Sequence, residues 1–428
     1  MAGHDRIDIY LLVISAIVGS IILGFQYYRN QLQLTLPPFL LLILGFGVFF
    51  YFRKKCDTVA FRFAFIAAVL LILMYLSWPN RADWSISWYD QTHYLGMVKE
   101  LSQGNLSYET FRYGLGYPVL AVPFYYLIGS DALFIPNLVA FIGTIYLCYF
   151  LFRSLTNEPV AKISLILLMF ATTLAYHDVI WSGHGIVILC LVAVSYMALK
   201  PLTNIKSLLI GLLVGYVFFT RYTDVIVFLP LLLFNFRKPK IKQMLLAILG
   251  IAPFVLLTLA AQAVVFGNPL ITPYRTNANN VLNYFVGPTQ TLYNFILTFI
   301  YFPADISIQM PGLGTEKMTV LIGMFYLVFA PLGAYMLYKS SHKKGLVAAI
   351  AASTILTVLY SSSYYQFHSG TFGTFPTDFR YLLTAYPYMV LFAVVALFSF
   401  LKLDQLTKDN KNINLSDLND GKKRLETD

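Results

Sequence analysis

A carboxylate stands among aromatic residues in the stretch Trp88-Tyr89-Asp90-Gln91-Thr92-His93-Tyr94, just beyond the third long apolar segment of the chain. Further along, the stretch Tyr113–Pro118 opens another apolar run. An ionisable side chain at the edge of a membrane is costly and usually marks a path for a substrate or an ion. Asp90 is therefore the first candidate functional residue, and the rest of the chain must explain its position.

The composition is that of a membrane protein. Of the 428 residues, 58% are hydrophobic, 17% are aromatic and only 12% are charged. Soluble domains carry about a quarter charged residues, because charge is needed to cover their surface. The first apolar run, 9–28, is as long as a spanning helix and lacks a cleavage site of small residues. We expect it to be a retained span and not a removable signal.

The basic residues indicate the orientation of the chain in the membrane. A net charge of +10 would suit a nucleic-acid partner, but the 30 Lys and Arg residues concentrate in alternate loops between apolar segments. Such clusters lie at Arg53–Lys55, Lys200–Lys206, Arg237–Lys242 and Lys339–Lys344, and in the tail after Leu401. Cytoplasmic loops carry an excess of this kind. We expect both termini in the cytoplasm and no nucleic-acid partner.

The apolar segments predict an all-α integral membrane protein with about twelve transmembrane helices. Spans are expected near 8–28, 36–52, 59–78, 132–152, 163–180, 185–199, 207–220, 224–236, 243–266, 318–339, 345–361 and 381–401. The segments 207–220 and 224–236 are short, so they are expected to form half-helices or a kinked hairpin. Residues 1–58 then hold two N-terminal helices, 59–401 form the main transmembrane domain, and 402–428 form a polar cytoplasmic tail.

The loop 79–131 is expected on the outside, with two helices lying along the membrane surface. Counting 115–129 as a span would reverse every later loop and put the Arg237–Lys242 cluster outside, so the charge rule favours a surface helix there. The other helix, 91–103, has one apolar face, formed by Tyr94, Met97, Val98 and Leu101. Rings suited to the interface follow at Tyr117, Tyr125 and Tyr126. A second large outside loop is expected at 267–317.

The outside segments carry groups from which a reaction centre can be built. A carboxylate can accept the proton of an acceptor hydroxyl as that oxygen attacks a sugar carbon. Arginine at the membrane boundary can bind a departing lipid phosphate through two parallel hydrogen bonds. One carboxylate with one or two arginines is therefore a sufficient set, although other outside acids, Asp83 first among them, compete with Asp90 for the role of base.

Five motifs, in order along the chain, resemble the GT-C superfamily of glycosyltransferases, which includes protein O-mannosyltransferases and bacterial aminoarabinose transferases. They are the segments Asp90–Tyr94, Tyr113–Pro118, Thr220–Asp224, Phe266–Leu270 and Arg380–Leu383. The resemblance covers residues 59–401 and implies a GT-C-like catalytic domain with two juxtamembrane helices in its first outside loop. Gln91 stands where many members have a second acid, and Gly116 stands where a Pro-Pro motif would have its first proline.

The resemblance implies an inverting transfer of a sugar from a polyprenyl-phosphate donor to an acceptor hydroxyl on the extracytoplasmic face. It implies Asp90 as the general base, with Asp83 and Asp178 as secondary acidic candidates. The candidates for binding the donor phosphate are Arg380, Arg221 and Arg275. The candidates for lining the sugar or acceptor pocket are His93, Tyr94, Tyr117 and His184. No cofactor is required, and the expected partners are the donor, membrane lipids, and a glycan, lipid or protein acceptor.

Simpler roles compete with each functional one. Asp90 suits the N-cap of the helix that follows it, and Arg221 and Arg380 suit interfacial anchors that reach lipid headgroups. The pair His177–Asp178 together with His184 could hold a divalent metal, but three such ligands without a fourth are more often polar helix ends. The three cysteines show no paired spacing, so neither a disulfide framework nor a metal site is expected.

Two other classes of protein fit the same topology. A secondary transporter or flippase for a lipid-linked or anionic solute would also have twelve spans, but it would need ionisable residues near the middle of the membrane. Here nearly all of them lie at the expected ends of spans, and no internal repeat is visible. A surface polysaccharide polymerase or ligase would use diphosphate carriers and depend on outside arginines more than on Asp90.

Overall fold

The structure is a computed structural model that describes residues 58–77, 89–108, 111, 113–170, 172, 174–175, 183–271, 315–363 and 379–401. Within these residues the regular secondary structure is helical and no strand is present. The spans expected near 8–28 and 36–52 lie outside the described residues, as do most of the loop 267–317 and the tail 402–428.

The helices follow the apolar segments closely. In chain order they are α1 Thr58–Ser77, α2 Tyr89–Ser102, α3 Gly116–Ile128, α4 Phe134–Leu155, α5 Glu158–Phe170, α6 His184–Met197, α7 Asn204–Arg221, α8 Leu229–Asn235, α9 Ile241–Phe266, α10 Thr315–Ser340, α11 Lys344–Ser363 and α12 Tyr386–Phe400. Three 3₁₀ segments join or precede them, at Gly129–Leu133, Tyr222–Phe228 and Phe379–Ala385.

The described part of the chain is that of a membrane protein. It contains five helical stretches long and apolar enough to cross a membrane: Gly116–Leu155, Asn204–Asn235, Ile241–Phe266, Lys344–Ser362 and Leu382–Phe400. Two shorter apolar helices, Val59–Tyr75 and His184–Met197, accompany them. The expected helical fold is thereby confirmed for the described residues, and their apolar helices fit a membrane protein, whereas the number of twelve spans stays a prediction.

Burial distinguishes the interior helices from those at the edge of the bundle. In the most apolar window of Leu382–Phe400, 89% of the residues are buried inside the protein, against 11% in the window of Ile241–Phe266. The helix α12 packs against α5 and α10, and α4 packs against α1, α5 and α6. An apolar helix that is so little buried among the described residues has a surface suited to contact with lipid or with further apolar segments.

The two helices predicted within the loop 79–131 form where the sequence predicts them, whereas their position along the membrane surface stays a prediction. In α2, Tyr94, Met97 and Val98 are buried, and Gly104 ends the helix with a left-handed φ of +71°. In α3 one face is buried on the protein and the other is apolar and exposed, at Val119, Leu120, Phe124, Tyr126 and Leu127. A helix with an exposed apolar face is stable at a lipid interface.

Tyr117 is a correction to the sequence analysis. Its side chain is fully buried, so the expectation of an interfacial ring is wrong for this residue, whereas Tyr126 is 70% exposed. Tyr117 lies on the protein-facing side of α3, because the neighbouring Gly116 brings that end of the helix close to α7.

The helix expected near 163–180 begins earlier, at Glu158, and its described part ends at Phe170. Its N-terminus is fixed by the Asn157 carboxamide, which accepts a hydrogen bond from the Val160 amide at 3.0 Å. The first turn also carries an ion pair between Glu158 and Lys162 at 2.8 Å. A search for apolar runs overlooks such a polar first turn, so the predicted start was five residues late.

Candidate functional site

The helix α2 carries Asp90 as its second residue. A negative charge in the first turn of a helix suits the positive end of the helix dipole. Arg380 is the second residue of the 3₁₀ segment Phe379–Ala385, which packs against α6 and α11. The candidates Asp83, Asp178 and Arg275 lie outside the described residues.

Four aromatic side chains dock α2 on the segment that leads into α3. This tyrosine cluster consists of His93, Tyr94, Tyr113 and Tyr117. The Tyr94 ring lies 4.9 Å from that of Tyr113 and 5.0 Å, edge to face, from that of Tyr117, while the His93 ring lies 6.2 Å from Tyr113. Such offset and edge-to-face pairs are each worth about 1 kcal/mol beyond their burial.

The Tyr117 hydroxyl donates a hydrogen bond of 2.7 Å to the Leu133 carbonyl, just before α4. Tyr75, near the end of α1, donates to the carboxylate of Asp131 in the adjoining 3₁₀ segment. The helices α2 and α3 are thereby tied to the ends of α1 and α4. Tyr94 and Tyr117 hold these elements together, so the tyrosine cluster fixes the position of α2 relative to α3 and α4.

Three glycines converge on one threonine at the end of α7. This glycine–threonine junction consists of Gly114, Gly116, Gly183 and Thr220. A Cβ atom on Gly114 would lie 2.2 Å from the Thr220 carbonyl oxygen, one on Gly116 would lie 2.1 Å from Thr220 Oγ1, and one on Gly183 would lie 2.8 Å from Thr220 Cγ2. Real Cβ atoms do not come so close to other atoms, so only glycine fits at the first two positions.

Hydrogen bonds fix the same contact between α3 and α7. The Tyr216 hydroxyl donates to the Gly116 carbonyl at 2.5 Å, and Thr220 Oγ1 donates to the Tyr216 carbonyl at 2.9 Å. The start of α3 is therefore held against the last turn of α7 by backbone contact and by a side-chain hydrogen bond.

Arg221 and Asp224 form a buried ion pair next to the junction. Arg221 Nε lies 2.8 Å from Asp224 Oδ2, and the two side chains are only 9% and 5% exposed. Thr223 Oγ1 donates a further hydrogen bond of 3.2 Å to Asp224 Oδ1. The helix α7 has 18 residues, a length of about 27 Å. Arg221 therefore lies nearly a full bilayer core away from the basic residues at the start of α7.

His184 is the first residue of α6 and is almost completely buried. Its neighbour Gly183 brings that helix against Thr220, and a Cβ on Gly183 would lie 3.5 Å from Tyr117 Cβ and 3.8 Å from Arg221 Cδ. The N-terminus of α6 thus joins the same group of contacts as α3 and α7.

The structure brings four of the sequence-derived candidates, His93, Tyr94, Tyr117 and Arg221, to one region, and His184 follows Gly183, which lies beside that region. The sequence motifs Tyr113–Pro118 and Thr220–Asp224, which are far apart in the chain, are in direct contact. Arg380 belongs to a segment that packs on α6, the helix that begins with His184.

Two participants are not among the site residues predicted from the sequence: Asp224, the partner of Arg221, and Thr220, the point of convergence. The signal for Asp224 was available, because an acid three residues after an arginine shares its helical face. The signal for Thr220 was only the pair of glycines flanking Leu115, which predicts a close approach of backbone but not its partner.

In the part of the chain that the structure describes, no group of three His, Cys, Asp or Glu side chains could hold a metal ion. His177 and Asp178 lie outside that part. Comparison of the chain with protein-family models, with curated proteins and with solved structures found no match.

Proposed function

We propose that this protein is a GT-C-like glycosyltransferase that moves a sugar from a polyprenyl-phosphate donor to an acceptor hydroxyl. The observation that carries the proposal is the convergence of the surface helices α2 and α3 with Thr220, Arg221 and Gly183 at one end of the bundle. This end lies opposite the basic loops, and we assign it to the extracytoplasmic face, with both termini in the cytoplasm and twelve spans in all.

The arrangement suits chemistry on a lipid-linked substrate. A polyprenyl phosphate has its tail in the bilayer and its phosphate at headgroup depth, so its reaction centre must lie at a span end. The exposed apolar face of α3 can rest on lipid while its other face is held by α7. The helix α2, with Asp90 in its first turn, is then kept at that depth by the tyrosine cluster.

In the proposed reaction Asp90 accepts the proton of the acceptor hydroxyl while that oxygen bonds to the anomeric carbon of the sugar. The bond from this carbon to the phosphate oxygen breaks, its electron pair leaves with the polyprenyl phosphate, and the configuration inverts. A base of this kind contributes about 10²- to 10⁴-fold. Asp83 and Asp178 remain alternative bases.

The leaving phosphate requires a cation. Because Arg221 is already ion-paired with Asp224, we assign the main phosphate contact to Arg380, with Arg275 as its helper, and give Arg221 a positioning role. An arginine whose charge is already balanced by a neighbouring carboxylate attracts a further anion less strongly.

The test is reconstitution of the full chain with synthetic polyprenyl-phosphate sugars, followed by measurement of sugar released from the carrier or transferred to acceptor. Asp90→Asn should lower turnover by about 10²-fold or more while the protein still purifies as a folded species. The control is Glu100→Gln on the same helix, which makes the same change in charge and weakens the hydrogen bonds from Ser107 to Glu100 without touching the proposed base. Unchanged turnover in Asp90→Asn would remove the assignment, and loss confined to Asp83→Asn would move the base.

A transporter is the second candidate, and the buried Arg221–Asp224 pair favours it. Buried charged residues in membrane proteins commonly serve ion or proton paths, and this pair lies where α7 ends within the apolar stretch Asn204–Asn235. The discriminating measurement is uptake of a labelled solute into proteoliposomes under a proton gradient. Uptake that is lost in Asp224→Asn, without any sugar transfer by the wild-type protein, would favour the transporter.

A further inference from the structure

A cavity of about 820 Å³ lies between three loops at the basic end of the bundle. These loops follow α6, follow α8 and precede α11, and they include residues 198–202, 234–240 and 341–346. The cavity is far from the glycine–threonine junction, because α7, which begins close to Lys200, extends about 27 Å before it reaches Thr220.

Six cationic side chains line this basic cavity: Lys200, Arg237, Lys238, Lys240, Lys343 and Lys344. Among its described lining residues there is no aspartate or glutamate. The positive-inside rule requires basic loops but does not require the loops to converge around one space. Six like charges that lie close together repel one another, so this arrangement of loops is stable only with counterions or with a bound anion.

Specific contacts hold the three loops together around the cavity. Gln243, at the start of α9, is buried and donates a hydrogen bond of 3.1 Å to the Leu202 carbonyl while accepting one of 2.9 Å from the Lys240 amide. A Cβ on Gly345 would lie 2.8 Å from the Phe234 ring, so the N-terminus of α11 is in contact with the end of α8. The cavity is thus part of the packed structure.

Two of the six cationic side chains make contacts with neighbouring residues, and three others are exposed and accessible to a ligand. Lys343 Nζ donates to the Ser154 carbonyl at 3.1 Å, and the Arg237 guanidinium lies 4.9 Å from the centre of the Phe234 ring. Lys200, Lys238 and Lys344 are exposed. The N-termini of α9 and α11 also face this region, and their dipoles add positive potential.

We propose that the basic cavity binds the phosphate-bearing headgroup of an anionic membrane lipid. Phosphate is the shared chemistry, and a lipid is favoured over a free anion because apolar residues continue from the cavity towards the bilayer. Leu199, Leu202, Phe234 and Leu346 contribute to its wall. Beside it, Ile241 and Leu245 of α9 are 72% and 58% exposed and offer a surface for an acyl chain. A basic pocket between membrane helices is a general way of holding such headgroups.

The test uses the purified full-length protein in nanodiscs with the same lipid mixture in both leaflets, so that it does not depend on orientation. Bound lipid is counted by native mass spectrometry after release from phosphatidylcholine discs containing a minor share of phosphatidylglycerol or cardiolipin. We expect retention of the anionic lipid in preference to phosphatidylcholine. The double variant Lys238→Gln/Lys344→Gln should lower its affinity about 25-fold, about fivefold for each lysine.

The matched control is Lys242→Gln/Lys339→Gln, which makes the same change in charge at the same end of the bundle with residues that do not line the cavity. Its affinity should stay within about twofold of wild type at physiological salt, where distant exposed charges are screened. Equal loss in the two double variants, or equal retention of phosphatidylcholine, would overturn the proposal. Displacement of the lipid by millimolar pyrophosphate alone would instead assign the cavity to a free polyanion.

If the double variant does not purify as a folded protein, the single variant Lys200→Gln replaces it, with an expected loss of about fivefold. The measurement is independent of sugar transfer, so its failure would leave the proposed enzyme untouched.

Discussion

Replacing Gly114 and Gly116 by alanine, one at a time, tests whether the glycine–threonine junction has the geometry described above. The two glycines meet different atoms of one residue. At Gly114 the new Cβ would lie 2.2 Å from the Thr220 carbonyl oxygen and 2.6 Å from its carbonyl carbon, which are backbone atoms. At Gly116 it would lie 2.1 Å from the Thr220 hydroxyl oxygen, and the next atoms are 3.0 Å away.

The destabilisation caused by each of the two substitutions should therefore respond differently when Thr220 is also replaced. We expect each alanine to destabilise the protein by about 1–3 kcal/mol, the usual cost of overpacking. For Gly116, the first residue of α3, the higher helix propensity of alanine offsets up to about 1 kcal/mol of this destabilisation. Thr220→Ala removes the hydroxyl that obstructs the new methyl group in Gly116→Ala. The double variant Gly116→Ala/Thr220→Ala should therefore be more stable, by about 1 kcal/mol or more, than the sum of the two single effects predicts. The double variant Gly114→Ala/Thr220→Ala should show no such gain, because the obstructing carbonyl is still present.

The assay is unfolding of the purified protein in mixed micelles by SDS, with the midpoint and slope read for the three single and two double variants. Gly143→Ala on α4 is the control, since its Cβ would meet only the tip of the Leu189 side chain, at 2.9 Å. We expect this variant to be neutral or slightly stabilised, because a flexible side chain can turn aside. Equal rescue of both glycine variants by Thr220→Ala, or no destabilisation by either, would refute the geometry.

Three further predictions concern the rest of the structure. Arg221→Gln or Asp224→Asn should each cost about 3–5 kcal/mol in SDS unfolding, because either leaves a buried charge without its partner, whereas replacing both by leucine should cost less than either single change. Glu100→Gln should weaken two hydrogen bonds to Ser107, by about 1–3 kcal/mol, and should speed amide exchange in residues 103–108 without changing exchange in α4. Gly333→Ala would place a Cβ 1.7 Å from a carbonyl oxygen of α12 and should prevent the normal packing of α10, seen as loss of folded protein by size-exclusion chromatography.

The positions of the helices could be predicted from the sequence, because each depends on residues close together in the chain. The segment 91–103 shows this well: its apolar face and its final Gly104 predict α2 to within two residues of its observed bounds. The charge rule likewise predicts that 115–129 is separate from the following span, and Gly129 with its φ of +61° ends α3 there. Local periodicity and backbone preference are enough for such features.

The contacts between segments could not be predicted in the same way. Gly116 and Tyr216 are 100 residues apart, and nothing local to either indicates that one carbonyl accepts a hydrogen bond from the other hydroxyl. Tyr117 shows the resulting error: its sequence neighbourhood is typical of an interfacial tyrosine, yet the packing of α3 on α7 buries it. The start of α5 was misplaced for a local reason, since Asn157 and Glu158 form a polar cap that apolarity alone does not reveal.

The interlocked junction also bears on the choice between an enzyme and a transporter. Alternating access needs two groups of helices that slide or rock past each other around a central site. At Gly114 and Gly116 the backbone packs so closely on Thr220 that a Cβ atom would not fit, and the Tyr216 hydroxyl binds the Gly116 carbonyl between α3 and α7. A transporter would have to place its moving boundary elsewhere, whereas an enzyme gains from a fixed junction, because a base and a phosphate-binding arginine must hold their separation throughout the reaction. The packing around Thr220 is therefore easier to reconcile with the proposed enzyme than with a transporter whose helices move at this contact.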